Sequence, residues 1–246
     1  MTDNNLHIKK VETHAYTKSA IGYDTLEADT IKIKKVETHA HTKGASPCAK
    51  VPVYETVKIY ANAGYGALII TNHFNWDTVE SVPKYIDYFK RAKEAGDKLG
   101  IEVWFGIETC IAGGPDDFLL YGVDSDILYE NPQMYKMTQK ELFRECEQYH
   151  CLMYQAHPCR SYCQPRDPFL IHGVEVYNAN IAHEEHNDEA LAWALKYNLL
   201  QSSGSDFHRP IDAAKGGILV PESIHSVHAL ANYMRVHEVT LIRQAK

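Results

Sequence analysis

From residue 33 onward the chain alternates short apolar, β-branched runs with segments of helical period, and this rhythm limits the fold more than any other feature. The strand candidates are residues 33–38 (IKKVET), 66–71 (GALIIT), 101–107 (IEVWFGI), 118–123 (FLLYGV), 151–156 (CLMYQA), 173–178 (GVEVYN), 199–204 (LLQSSG) and 216–220 (GGILV). Between them Val53, Val57, Tyr60 and Ala61 share one helical face, as do Leu191, Ala194, Leu195 and the polar Asn198. Such alternation predicts βα units around a mainly parallel sheet. Eight short strands within 246 residues, 45% of them hydrophobic, favour a barrel or distorted barrel over an open doubly wound sheet.

One repeat interrupts this pattern. Residues 8–20 and 33–45 match at 11 of 13 positions with an offset of 25, and nothing later repeats. Residues 1–30 therefore read as an N-terminal extension holding a partial copy of the domain start, and residues 31–246 as one domain, with no linker-like composition inside it. The formal charge of −7 gives no basic footprint for duplex DNA. No apolar run is long enough to span a membrane, and the start MTDNNLHIKK lacks the apolar core of a signal peptide, so a cytoplasmic location is expected. The six scattered cysteines then read as reduced thiols, and CRSYC (159–163) has no second pair to close a four-ligand site.

The residues that follow successive strand candidates share a chemistry. They are His39 and His41, then His73, Glu108, His157, and finally Asp206 and His208. One histidine at a strand end is usually structural. Five histidines and two carboxylates at ends that a barrel gathers at one mouth point instead to a multinuclear metal site. A His-x-His pair on a strand sends both imidazoles to one face, where mixed nitrogen and oxygen donors suit Zn²⁺, Mn²⁺ or Fe²⁺ and a carboxylate can bridge two ions. The N-terminal copy carries His14 and Tyr16 in place of the pair, so only the second copy can build the site.

The ordered set HAHT (39–42), ITNHFN (70–75), GIE (106–108), QAHPCR (155–160), GVEVYN (173–178) and GSDFH (204–208) resembles the PHP, or polymerase and histidinol phosphatase, superfamily of metal-dependent phosphoesterases. The resemblance implies a distorted (β/α)7 TIM-like barrel with two to three divalent ions, of manganese, zinc or iron, at its mouth. By the same resemblance His39, His41, Glu108 and Asp206 would hold one ion, with Glu108 bridging to a second that His157 also binds. His73 and His208 would take a third. The chain departs from the family at Asn72, where an aspartate is usual. It departs again at Ser46, Pro47 and Cys48, where a histidine is often found, and at Phe118, another such position, which follows Asp116 and Asp117. Asp117 or water could complete a two-metal site.

Paired ions suit hydrolysis of a phosphate ester by a metal-activated water. Asp206 and His208, with Arg160 and Arg209 as guanidinium grips for phosphate oxygens, are the candidate catalytic residues, and Lys43 is a weaker one. Glu175 and Asn178 read as partners orienting the histidines. His183 and His186 read as a solvated helix start, and His225, His228 and His237 as surface residues. The expected substrate is a small phosphomonoester, or a phosphodiester in a nucleotide or single-strand end. The alternatives are an amidohydrolase-like C–N hydrolase and a metal-binding module without turnover. The sequence leaves metal identity and oligomeric state open.

Overall fold

The computed structural model describes residues 31–75 and 82–244. The N-terminal extension read over residues 1–30 lies outside the described residues. Ten strands form among the described residues: β1 (Ile33–Ala40), β2 (Ala67–Ile70), β3 (Glu102–Phe105), β4 (Ile107–Cys110), β5 (Asp117–Tyr121), β6 (Leu152–Gln155), β7 (Gly173–Asn178), β8 (Leu200–Gly204), β9 (Ile218–Pro221) and β10 (Thr240–Leu241). Among them run α1 (Val53–Asn62), α2 (Val82–Leu99), α3 (Ile127–Glu130), α4 (Gln139–Gln148), α5 (Asn187–Tyr197) and α6 (Val227–Val236). No described helix is long and apolar enough to cross a membrane.

The strands form two five-stranded mixed sheets, ordered β10-β9-β1-β2-β3 and β4-β5-β6-β7-β8. This corrects the expectation of a mainly parallel sheet. β1–β2, β2–β3, β6–β7 and β7–β8 are parallel, whereas β1–β9, β9–β10, β4–β5 and β5–β6 are antiparallel. β2 is buried along its whole length, as a strand covered on both faces must be, and its run ALII reads continuously apolar for that reason. Full burial of Leu68, Ile69 and Ile70 stabilises the fold by roughly 1.5–3 kcal/mol per side chain. Val53, Val57 and Tyr60 of α1 cover one side of this strand together with Ala92 and Ala95 of α2.

The apolar run 101–107 is two strands rather than one. The break falls at Gly106, whose N–H donates to Ile70 O at 3.0 Å and where an added Cβ would stand 2.6 Å from Ile69 Cγ2. Beyond it the chain leaves β3 and joins the second sheet. Two further readings change. In α5 Ala190 and Ala194 are the buried residues while Leu195 is 64% exposed, so the packed face is rotated from the one expected. The two-residue β10 carries no apolar run that sequence could have marked.

Hydrogen bonds beyond the strands tie the two sheets together at one end. His41 N–H donates to Phe207 O at 3.0 Å and Phe207 N–H to His39 O at 3.2 Å, joining the end of β1 to the turn after β8. Glu108 N–H donates to Asn72 O at 3.2 Å and Phe74 N–H to Glu108 O at 2.7 Å, joining β4 to the turn after β2. The strand-end residues singled out by sequence lie on these junctions.

Candidate metal centre

β1 delivers His39 and His41 because a two-residue step returns a strand side chain to the same face. Both are fully buried. Their Nε2 atoms stand 3.1 Å apart. Each ring is anchored through its other nitrogen: His39 Nδ1 lies 2.9 Å from Glu175 Oε1, and His41 Nδ1 lies 3.1 Å from Ser46 Oγ. Ser46 Oγ donates in turn to Asn72 Oδ1 at 3.2 Å, which leaves it free to accept from His41. With Nδ1–H donating on both rings, the two Nε2 lone pairs face one point.

Carboxylates complete that point. Glu108 Oε1 is 3.2 Å from His39 Nε2 and 3.2 Å from His157 Nε2, and its Oε2 is 3.2 Å from His41 Nε2 and 2.9 Å from His73 Nδ1. Asp206 Oδ1 is 3.4 Å from both His39 Nε2 and His41 Nε2, and 3.3 Å from His208 Nδ1. All seven strand-end residues named from the sequence are thus brought together. Four triplets of donor atoms have every member within 4.8 Å of the others: His41, His73 and His208; His39, His41 and Asp206; His39, Glu108 and His157; His73, Glu108 and Asp117.

The local chain makes this approach possible. Gly204 ends β8 beside His39, and a Cβ there would come within 2.4 Å of His39 Cβ and 2.6 Å of Glu175 Oε1. Glu175 spans three partners, with Oε1 on His39 and Oε2 accepting from His157 N–H at 3.1 Å and Asn178 Nδ2 at 2.8 Å. Asn72, where the family pattern has an aspartate, accepts from Thr42 N–H at 2.7 Å as well as from Ser46. It therefore keeps the hydrogen-bonding role without the charge. Phe118 is buried in the apolar core and offers no donor, while the adjacent Asp117 joins His73 and Glu108. Asp116 points elsewhere, to an ion pair with Arg166.

The two arginines have separate fates. Arg160 is buried; its Nε donates to Glu185 Oε2 at 2.7 Å, its Nη1 to Tyr162 Oη at 3.3 Å, and its Nη2 to Asp206 Oδ2 and to Asn178 Oδ1 at 3.3 Å. With every nitrogen engaged, it holds Asp206 so that Oδ1 faces the imidazoles. Arg209 is 40% exposed and pairs with Asp212 at 2.9 Å. Lys43, His183 and His186 are exposed, and His225 and His228 form surface pairs with Glu102 and Asp124. Sequence reasoning missed Glu185 because it lies in the polar stretch AHEEHNDEA, where nothing marks one glutamate as inward. It also missed Glu37, Asn180 and the proximity of Cys48.

The electrostatics are those of a site short of positive charge. Five carboxylates, from Glu108, Asp117, Glu175, Glu185 and Asp206, crowd the histidine cluster, and Arg160 pairs with two of them, Glu185 and Asp206. Burial opposes charge on His39, yet Glu175, Glu108 and Asp206 raise its pKa well above the ordinary imidazole value. His157 rises to about 10 against burial and Arg160, through hydrogen bonds to Cys163 and Glu108. Burial together with the neighbouring His208 and His73 pushes His41 down to about 4. Burial would raise Glu108 and Asp206, but their imidazole neighbours hold both well below the usual carboxylate range. Burial and the Glu108 charge lift Asp117 to about 6. Protons here compensate clustered carboxylates. A divalent cation would do the same while accepting the Nε2 lone pairs, so the donor set fits imidazole- and carboxylate-binding ions such as zinc, manganese or iron.

No family model matches the sequence, and no curated protein matches it. Solved structures do. A two-domain protein from Bacteroides vulgatus containing a predicted PHP-like metal-dependent phosphoesterase aligns over 87% of this chain and 65% of its own, with TM-score 0.65 and 21% identity. PsfC from Pseudomonas syringae aligns over 87% and 92%, with TM-score 0.64 and 16% identity. The lesion-specific endonuclease PfuEndoQ from Pyrococcus furiosus aligns over 85% and 58%, with TM-score 0.59 and 12% identity. The chain spans just under two thirds of the first of these and a smaller share of the third.

Proposed function

From the fold that this chain shares with a protein containing a predicted PHP-like phosphoesterase and with a lesion-specific endonuclease, we propose a metal-dependent phosphoesterase whose centre is built by His39, His41, His73, Glu108, His157, Asp206 and His208. We take the two sheets, bonded to each other at the strand ends, as one distorted barrel of the PHP type. The observation that carries the reading is the convergence of two buried Nε2 lone pairs 3.1 Å apart with oxygens of Glu108 and Asp206.

His39, His41 and Asp206 would hold one cation, with Glu108 reaching toward a second shared with His157. Divalent ions bound there would supply a nucleophile from water near neutral pH, by lowering its pKa, and a counter-charge for the leaving oxygen. The residues themselves fix direction. Glu175 and Ser46 keep the rings of His39 and His41 in the tautomer that offers Nε2, and Arg160 keeps Asp206 turned inward. Asp117 supplies an extra carboxylate where Phe118 offers none. No lysine is buried among the described residues, unlike barrels that bridge two ions through a lysine. The substrate class is a small phosphomonoester, or the phosphodiester of a nucleotide or single-strand end. The acidic chain lacks a duplex-binding footprint.

Metal analysis of the purified chain, followed by a phosphate-ester screen with and without Mn²⁺, tests this reading. Bound metal, and activity lost in His39→Ala and on chelation, are expected. A His39→Ala variant with undiminished metal and turnover would overturn it.

A further inference from the structure

At the edge of the centre stands a donor that the motif-based ligand set omits. Cys48 lies between β1 and α1 on a turn that is held in place: Ala49 N–H donates to Ser46 O at 3.1 Å and Lys50 N–H to His208 O at 2.9 Å. The second bond ties this turn to the residue whose ring the thiol meets. Cys48 Sγ is 3.1 Å from His208 Nε2. His208 Nδ1 donates to the Asp206 carbonyl at 2.8 Å, so Nε2 turns its lone pair to the sulfur. His73 is a second hydrogen-bonding neighbour of the same thiol.

Further donor atoms meet at this corner. Glu108 Oε2 is fully buried, with His73 Nδ1 2.9 Å away and His41 Nε2 3.2 Å away. The nitrogens of His41, His73 and His208 also lie within 4.8 Å of one another. The spacing suits a shared ion. With metal–sulfur and metal–nitrogen bonds of about 2.3 and 2.0–2.1 Å, tetrahedral donors stand roughly 3.5 Å apart. The sulfur and nitrogen need to open by only a few tenths of an ångström from the observed 3.1 Å.

We propose that Cys48 is a thiolate ligand to a cation held with His73 and His208, in the place where the family pattern often has a histidine. Binding releases the thiol proton to solvent and forms a metal–sulfur bond. A sulfur donor directs this position toward zinc, cobalt or ferrous ion and away from manganese and magnesium. The inference rests on reading the cluster as a cation centre.

The test is titration of the metal-stripped full chain with Co²⁺ alone, followed by absorption spectroscopy. The wild type should show visible cobalt bands together with thiolate-to-cobalt charge transfer in the near ultraviolet. Cys48→Ser should keep the visible bands and lose the charge transfer, while Cys163→Ser and Cys110→Ser keep both. Visible bands without charge transfer in the wild type would overturn the proposal and leave the cation centre standing. So would charge transfer that survives Cys48→Ser. No visible bands at all would overturn the centre itself, and the proposal with it. The wild-type spectrum can refute the thiolate without any variant, and should Cys48→Ser fail to fold, loss of the band in Cys163→Ser or Cys110→Ser would place the sulfur elsewhere.

Discussion

Replacing Glu37 should separate the frame of the site from its cations. The side chain is fully buried beneath the His-x-His pair, and its Oε1 accepts from the backbone N–H of Thr38 at 3.1 Å, His39 at 3.0 Å and Ser205 at 2.9 Å. One oxygen thus holds the segment bearing His39 and His41 against the segment bearing Asp206. Leucine has nearly the same size but leaves three buried donors without an acceptor, at a cost of about 1–3 kcal/mol each in isolation. Three bonds sharing one oxygen are individually weaker, and leucine returns some apolar burial, so the expected net loss is about 3–5 kcal/mol. For a domain of this size that lowers Tm by roughly 6–20 °C. Glutamine keeps Oε1 and should stay within about 1 kcal/mol.

The acid–base behaviour sharpens the comparison. Burial raises the Glu37 pKa above 4.5, against hydrogen bonds from Ser205 and His39 that lower it. A carboxyl raised on folding stabilises fully below its unfolded pKa, and that contribution fades as pH rises through the folded value. Glutamine has no proton to lose, so the stability of wild type relative to Glu37→Gln should fall as pH rises. Urea denaturation in chelator, at an acidic and an alkaline pH, measures both effects. A Glu37→Leu variant as stable as wild type would refute the tether. A glutamine variant as unstable as the leucine one would show that charge, rather than an acceptor, holds the segments.

The cation centre carries three further expectations. Saturating Mn²⁺ or Zn²⁺ at a hundredfold over Kd should stabilise the fold by about 2.7 kcal/mol, or roughly 5–11 °C in Tm, and Glu108→Gln should remove most of that response in a thermal melt with and without chelator. Because His39 and His157 hold protons above neutrality, binding should release at least one proton at pH 7, measured by calorimetry in buffers of different ionisation enthalpy; zero release would contradict the shared-donor geometry. Arg160→Gln frees Asp206 Oδ2 and should weaken cation binding about 10- to 100-fold, whereas Arg209→Gln should change it less than twofold, as isothermal titration would show.

The parts of this molecule that sequence made legible are those where chemistry and period coincide. His39 and His41 announce themselves because a strand returns alternate residues to one face, and GSDFH because Asp206 and His208 follow a small-residue strand end. Strand sense was not legible. Runs such as FLLYGV and CLMYQA are buried on both faces whichever way their neighbours run, so burial erased the alternation that would mark an antiparallel pair. Glu185 and Glu37 were hidden for the opposite reason. Each is an ordinary glutamate in its local sequence, and only tertiary folding carries one onto Arg160 and the other under Ser205.

The centre also carries a cost in the backbone that the same network offsets. His157 and Asp206, both buried, have φ of 28° and 47°, in the left-handed region that residues with a Cβ seldom occupy. Each conformation costs about 1–2 kcal/mol. Glycine would relieve that cost and remove the donor. At His157 the strained peptide gives its N–H to Glu175 Oε2 at 3.1 Å; at Asp206 the carbonyl accepts from Asn180 Nδ2 at 3.1 Å and from His208 Nδ1 at 2.8 Å. Two of these partners, Glu175 and His208, also touch the histidine and aspartate donors directly. Backbone strain and donor orientation are therefore held by the same side chains. Loosening one of these hydrogen bonds should release the backbone and misplace the donor together.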